Sequence, residues 1–112
     1  MEIRFNKKIN GKGLYATKKY FKDTVVFILS GEIYDHPTRE TIHIGNSQHI
    51  YDEYGIFMNH SFEPTTHIDG RRVIALTDIQ ENDEITFDYN ASEINMASPF
   101  VVDDVLVCGQ KV

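Results

Sequence analysis

About eight short runs of β-branched and aromatic residues, eight to twelve residues apart and each closed by a turn signal, constrain this chain most strongly. No long stretch repeats its apolar positions at helical spacing, so the pattern predicts a mainly β fold. Glu2–Phe5 and Leu14–Thr17 flank an expected turn at Asn10-Gly11-Lys12-Gly13. Thr24–Ser30 is apolar enough to predict burial on both faces; it stops at Gly31, and Asp35-His36-Pro37 marks a loop. Thr41–Ile44 and Gln48–Tyr51 read as a hairpin across Gly45-Asn46-Ser47. Thr65–Ile68 and Arg72–Leu76 read as another through Asp69-Gly70, a dipeptide that tolerates positive φ. Glu84–Asp88 is expected to be the last short strand, and only Ser92–Ala97 hints at a helical turn.

Length bounds the organisation. A chain of 112 residues predicts one domain. A soft boundary near Ala91 divides a core, 1–91, from a tail, 92–112. The tail's Ile94, Met96, Phe100 and Val105-Leu106-Val107 predict that it packs back on the body. Cys108 stands alone, which rules out an intrachain disulfide and a multi-cysteine zinc cluster within one chain. The longest apolar run, Val25–Leu29, falls far short of the roughly 20 residues a membrane-spanning helix needs, and Met1–Ile9 carries no apolar signal segment. The expectation is a soluble intracellular protein. Its net charge of −6 lacks the basic surplus that neutralises phosphates, so direct nucleic-acid binding is not expected. An acidic surface favours a basic partner such as a lysine-rich peptide, or serves solubility alone; charge leaves both open.

The residues that could carry chemistry lie in three segments. Gly11-Lys12-Gly13 does not open a helix, so a dinucleotide-binding turn does not apply; it is either a plain turn or a place where backbone approaches a ligand. Asn59-His60-Ser61-Phe62-Glu63-Pro64 follows the apolar Ile56-Phe57-Met58 and offers donors and acceptors suited to a polar heterocycle. Glu84-Ile85-Thr86-Phe87-Asp88-Tyr89 ends a strand on a tyrosine that shares a face with Phe87; the pair is either core packing or a hydroxyl aimed at a substrate. His36, His43, His49, His60 and His67 form none of the pairs that zinc sites use, so no metal ligand is assigned.

In this order and spacing, the three segments resemble the SET-domain family of S-adenosylmethionine-dependent protein lysine methyltransferases. The likeness extends through the lead-in Ile79–Glu84, where Asn82 replaces a common glycine. It continues into a degenerate post-SET-like tail at Met96-Ala97-Ser98-Pro99-Phe100 and Cys108-Gly109. The resemblance implies a fold of several small curved β-sheets with little helix and a pseudoknot-like crossing of the Asn59 and Tyr89 segments. It implies Tyr89 as the catalytic tyrosine, and Gly11, Lys12, Gly13, Leu14, Asn59, His60 and Phe100 as the binding residues for S-adenosylmethionine. Phe87 occupies the position where phenylalanine leaves room for more than one methylation, and Tyr54 and Tyr51 are candidates for lining the substrate channel.

The same resemblance implies a lysine-containing, basic protein as substrate, in the cytoplasm, or in the nucleus if the substrate is a histone. There are departures. Phe62 stands in place of a cysteine, and Thr65 in place of an asparagine, which predicts a weakened local hydrogen bond. The post-SET zinc site cannot form from Cys108 alone, and the insert between Gly31 and Asn59 is short. The peptide groove is therefore expected to be completed by a second copy, as a homodimer, or by Val101–Val112. The alternative function is a catalytically inactive module that binds cofactor or a basic peptide.

Overall fold

A computed structural model describes residues 1–6, 11–38, 40–89, 100–102 and 105–107. The chain forms twelve short strands and a single 3₁₀ turn among these residues. Strands β1 (Glu2–Asn6) and β2 (Gly11–Tyr15) pair antiparallel. Strand β3 (Val25–Ile28) lies beside β9 (Arg72–Ala75), which also pairs with β8 (Thr66–Asp69). A second three-stranded sheet places β6 (Gln48–Tyr51) between β4 (Glu32–Tyr34) and β5 (Ile42–Gly45). The 3₁₀ turn Gly55–Phe57 leads into β7 (Asn59–His60), which pairs parallel with β10 (Thr86–Phe87). Strands β11 (Phe100–Val102) and β12 (Val105–Val107) pair with each other.

Both expected hairpins form. The β5–β6 connection is Asn46-Ser47, with φ of 52° and 58°, the positive values that a two-residue turn needs to match strand twist. The β8–β9 connection turns at Gly70, φ 61°. Asn82 also adopts a positive φ, 75°, which asparagine tolerates better than most residues.

Other expectations are corrected. Gly11-Lys12-Gly13 is not a turn but the first half of β2, paired with Arg4–Asn6. The Thr24–Ser30 run is not buried on both faces: Val25 is 43% exposed and Ile28 62%, and β3 is the edge strand of its sheet, paired with β9 alone among the described residues. Four strands escape sequence patterning altogether, β4, β7, β11 and β12, so Glu84–Asp88 is not the last strand. The expected helical turn at Ser92–Ala97 and Cys108 lie outside the described residues.

A single apolar cluster, including Leu14, Leu29, Ile50, Met58, Ile79 and Ile85, joins the sheets. Residues 82–87 run between two partners and are bonded to both. On one side Ile85 N–H donates to the Leu14 carbonyl (2.7 Å), Ala16 N–H to Asp83 (2.9 Å) and Asn82 N–H to Ala16 (2.8 Å). On the other, Ser61 N–H donates to the Phe87 carbonyl (3.1 Å) and the Thr66 hydroxyl to the Thr86 carbonyl (2.7 Å). Thr65 bonds this side as well: its hydroxyl donates to the Glu84 carbonyl (3.0 Å) and accepts from Thr86 N–H (3.0 Å).

Gly31 is needed where the chain enters β4. Its φ is +148°, and a Cβ there would fall 1.8 Å from the Tyr51 carbonyl oxygen. Asp52 fixes the same corner from inside. Its buried carboxylate accepts from Ser30 N–H (2.8 Å), Tyr54 N–H (2.8 Å) and Gly55 N–H (2.7 Å), tying the start of the 3₁₀ turn to the link between β3 and β4.

Candidate active site

The parallel pairing of β7 with β10 sets Thr86 opposite Asn59 and Phe87 opposite His60. Tyr89 then reaches back over the same pair. Its hydroxyl donates to the Met58 carbonyl at 2.7 Å, and its backbone N–H donates to His60 Nδ1 at 3.1 Å. The rings of Phe87 and Tyr89 lie 4.6 Å apart, and the His60 ring meets Tyr89 at 5.3 Å and Phe62 at 4.4 Å, both edge-on. Phe62, in place of a cysteine, therefore extends the aromatic packing around His60.

The His60 side chain is 2% exposed, and burial pushes its imidazole below the ordinary pKa, opposed by the nearby Asp88 carboxylate. The ring is neutral at physiological pH. Because Nδ1 accepts the Tyr89 N–H, the proton resides on Nε2. Asp88 Oδ1 lies 3.7 Å from Nδ1, close enough for its charge to act on the ring.

Asn59 organises the other half of the site. Its side-chain amide donates to Glu84 Oε2 at 2.7 Å and to the Lys12 carbonyl at 3.2 Å, tying β7 to β2 and to the approach to β10. Gly13 lies directly against these groups. A Cβ on Gly13 would sit 2.7 Å from Glu84 Oε2 and 3.0 Å from Asn59 Nδ2, so only glycine lets amide, carboxylate and main chain converge there. Leu14 is wholly buried and its carbonyl is taken by Ile85, while the Lys12 ammonium lies 6.0 Å from the centre of the Phe57 ring.

Residues 11–90, more than two thirds of the chain, match the family model of the SET domain. The chain belongs to the SET-domain family. No curated protein matches it. Among solved structures, this SET domain is similar to the crystal structure of a candidate histone methyltransferase from Plasmodium falciparum. The two are 23% identical, with a TM-score of 0.62 over 79% of this chain and 94% of that one. That likeness shows a shared fold.

The SET-domain fold thus brings together Gly13, Asn59, His60, Phe87 and Tyr89, five of the residues singled out from sequence. Tyr51 and Tyr54 flank Asp52, upstream of the 3₁₀ turn that leads into β7. These two line an open cavity of about 690 Å³ whose wall includes none of the five. Phe100 opens β11 opposite Val107, and the residues linking it to Tyr89 lie outside the described ones. Glu84 and Met58 were not singled out. Glu84 stood inside a recognised motif without a role, and its bond to Asn59 spans 25 residues. Met58 contributes through its carbonyl, a group every residue carries, so no side-chain signal could have found it.

Proposed function

We propose that this SET domain transfers a methyl group from S-adenosylmethionine to the side-chain amine of lysine in a basic protein substrate. The observation that carries the reading is the convergence of Gly13, Asn59 and Glu84 beside a tyrosine hydroxyl held by the Met58 carbonyl. Family membership supports methyl transfer as the reaction class.

The residues present fit the cofactor. The side-chain-free face of Gly13 admits backbone approach, and the Lys12 carbonyl and Glu84 carboxylate are acceptors suited to its ammonium group. Gly11, Lys12, Gly13, Leu14, Asn59 and His60 would hold it, with Phe100 as a cover. When bound, it supplies an electrophilic methyl group on a cationic sulfonium.

The chain's own contribution is positioning and drying. A lysine amine must lose its proton before it can attack, which at pH 7 costs about 4.6 kcal/mol for a free side chain. Buried Phe87 and Met58, with the half-buried Tyr89 ring, supply apolar surface that disfavours the charged ammonium. The Tyr89 hydroxyl donates its proton to Met58 and presents its oxygen as an acceptor that can orient an amine N–H. Held alignment of this kind supplies much of the rate in group transfer. Phe87, lacking a hydroxyl, leaves space for an amine that already carries a methyl group.

The test combines calorimetric titration of S-adenosylmethionine into wild type and Asn59→Ala with mass spectrometry of lysine-rich peptides after incubation. Binding that Asn59→Ala weakens at least tenfold, with peptide products extending beyond monomethyl-lysine, is the expected result. Products stopping at monomethyl-lysine would overturn the role given to Phe87. Tight cofactor binding with no transfer to any lysine peptide would favour a binding module over an enzyme.

A further inference from the structure

Two histidines meet within the β4–β6–β5 sheet and take no part in the site described above. His43 on β5 lies directly opposite His49 on β6, with ring centres 5.0 Å apart. His49 is 6% exposed, and its Nδ1 is buried without a hydrogen-bond partner among the described residues. Whichever tautomer the neutral ring adopts, protonation puts a hydrogen on both nitrogens and leaves a charged N–H donor buried and unanswered. Like charges directly across an antiparallel pair also repel. The neighbouring groups offer little relief. β4 sets Tyr34 opposite His49, its hydroxyl given to Glu32 Oε2, and Tyr51 lies two residues along β6. The link after β4 contributes Asp35 and His36, bonded to each other at 2.8 Å with side chains 97% and 65% exposed, so solvent screens both.

Little else holds the two strands together. β5 has four residues and pairs with β6 alone among the described residues. Its register shifts between His43 and Gly45, so the unbroken stretch is Ile42 opposite Ile50 and His43 opposite His49. Short edge pairings of this kind open at lower free energy than the rest of a fold. Both strands also touch the turn that leads to Asn59. A Cβ on Gly55 would lie 3.0 Å from Ile42 Cδ1, so the 3₁₀ turn packs against β5 through its main chain. β6 runs straight into Asp52, whose carboxylate accepts from Gly55 N–H at 2.7 Å.

We propose that the His43–His49 pair is an acid-sensitive latch: protonation of the pair parts β5 from β6 and releases the Gly55–Phe57 turn that carries the chain into Asn59. The direction follows from the surroundings of His49. Burial pushes its imidazole below the ordinary value, and the His43 and His36 charges push the same way, opposed by Asp35. Opening the sheet exposes the ring to water and restores its ordinary proton affinity. The open form therefore gains protons first as pH falls below about 6.5. Above that pH the His49 ring is neutral and the latch is closed. The device stands whether or not the domain transfers methyl groups.

The test follows the full chain without ligand by NMR between about pH 7.5 and 5.5, above the range in which ordinary carboxylates take up protons. Imidazole Cε1–H shifts report the titration of each histidine. Amide exchange, corrected for its intrinsic pH dependence, reports local opening. Protection of the Ile42, Ile50 and Gly55 amides is expected to fall at least about fivefold as His49 titrates, with protection across β8–β9 falling less. His43→Gln should reduce that fall, and His43→Gln together with His49→Gln should abolish it. His60 remains in both variants, so its own titration cannot account for the difference. Should the double variant not fold, the wild-type titration and His43→Gln alone decide the matter. Protection lost equally from both sheets, protection at Ile42 and Ile50 unchanged as His49 titrates, or an undiminished fall in His43→Gln would each overturn the proposal.

Discussion

The Tyr89 hydroxyl donates a 2.7 Å hydrogen bond to the carbonyl of Met58, a residue 31 positions earlier in the chain. This contact aims the phenol, and it satisfies the carbonyl of a residue that is almost wholly buried. Tyr89→Phe is expected to reduce methyl transfer about 10²-fold or more, as loss of a positioned polar group at a reacting centre does elsewhere. Leaving the Met58 carbonyl unpaired should also cost about 1–3 kcal/mol of stability. Cofactor affinity should change little. Transfer kinetics, urea unfolding and calorimetry on one preparation separate the three effects.

Gly13→Ala tests the Asn59 cluster without removing any polar group. The added methyl would lie 2.7 Å from Glu84 Oε2, the far end of a side chain that can swing aside, and 3.0 Å from Asn59 Nδ2. The fold should survive, with a melting temperature close to wild type, while S-adenosylmethionine affinity falls at least tenfold. Unchanged affinity in a folded variant would remove Gly13 from the binding site.

Gly31→Ala should behave in the opposite way. Its Cβ would collide with backbone, the Tyr51 carbonyl, and its φ of +148° is strained for any side chain. Relief requires breaking the β4–β6 pairing, so the variant should lose about 3 kcal/mol or more. Asp52→Ala, which strands three N–H groups, should lose a comparable amount. Denaturant midpoints read both.

Acid should weaken the fold through histidine. Burial pushes both His49 and His60 below the ordinary value of 6.5, in His49 with help from the neighbouring His43 and His36 charges. The unfolded chain therefore takes up protons at these sites before the folded chain does. Stability is at its full value above about pH 6.5, falls as pH drops through the interval down to the lowered folded values, and levels off below them for these two groups. Melting temperatures across pH 5–8 should show this slope, and His49→Gln should flatten part of it.

Much of the local structure was legible because turn chemistry is short-range. Asn46, Gly70 and Asn82 adopt the positive φ values their residue types allow, and the β5–β6 and β8–β9 hairpins follow from them. Gly11-Lys12-Gly13 was misread for the complementary reason. Two glycines look like a turn in isolation, whereas in the fold the strand is set by its partner Arg4–Asn6 and the missing Cβ serves Asn59 and Glu84. Strands β4 and β7, of three and two residues, are too short to carry a periodic signal and exist because a neighbour pairs with them.

The amino-acid sequence by itself determined which residue types were available, namely the asparagine, histidine, tyrosine and glycines at motif spacing, and that the chain would build short strands rather than helices. Only the tertiary structure decided that Tyr89 meets His60, 29 residues away, and that Tyr51 and Tyr54 share one cavity wall with Glu32 and Glu53. The reason is physical. The parallel β7–β10 pairing and the bonds clamping residues 82–87 run largely through backbone N–H and C=O groups, which every residue but proline carries in full, so long-range register leaves little mark on side-chain pattern.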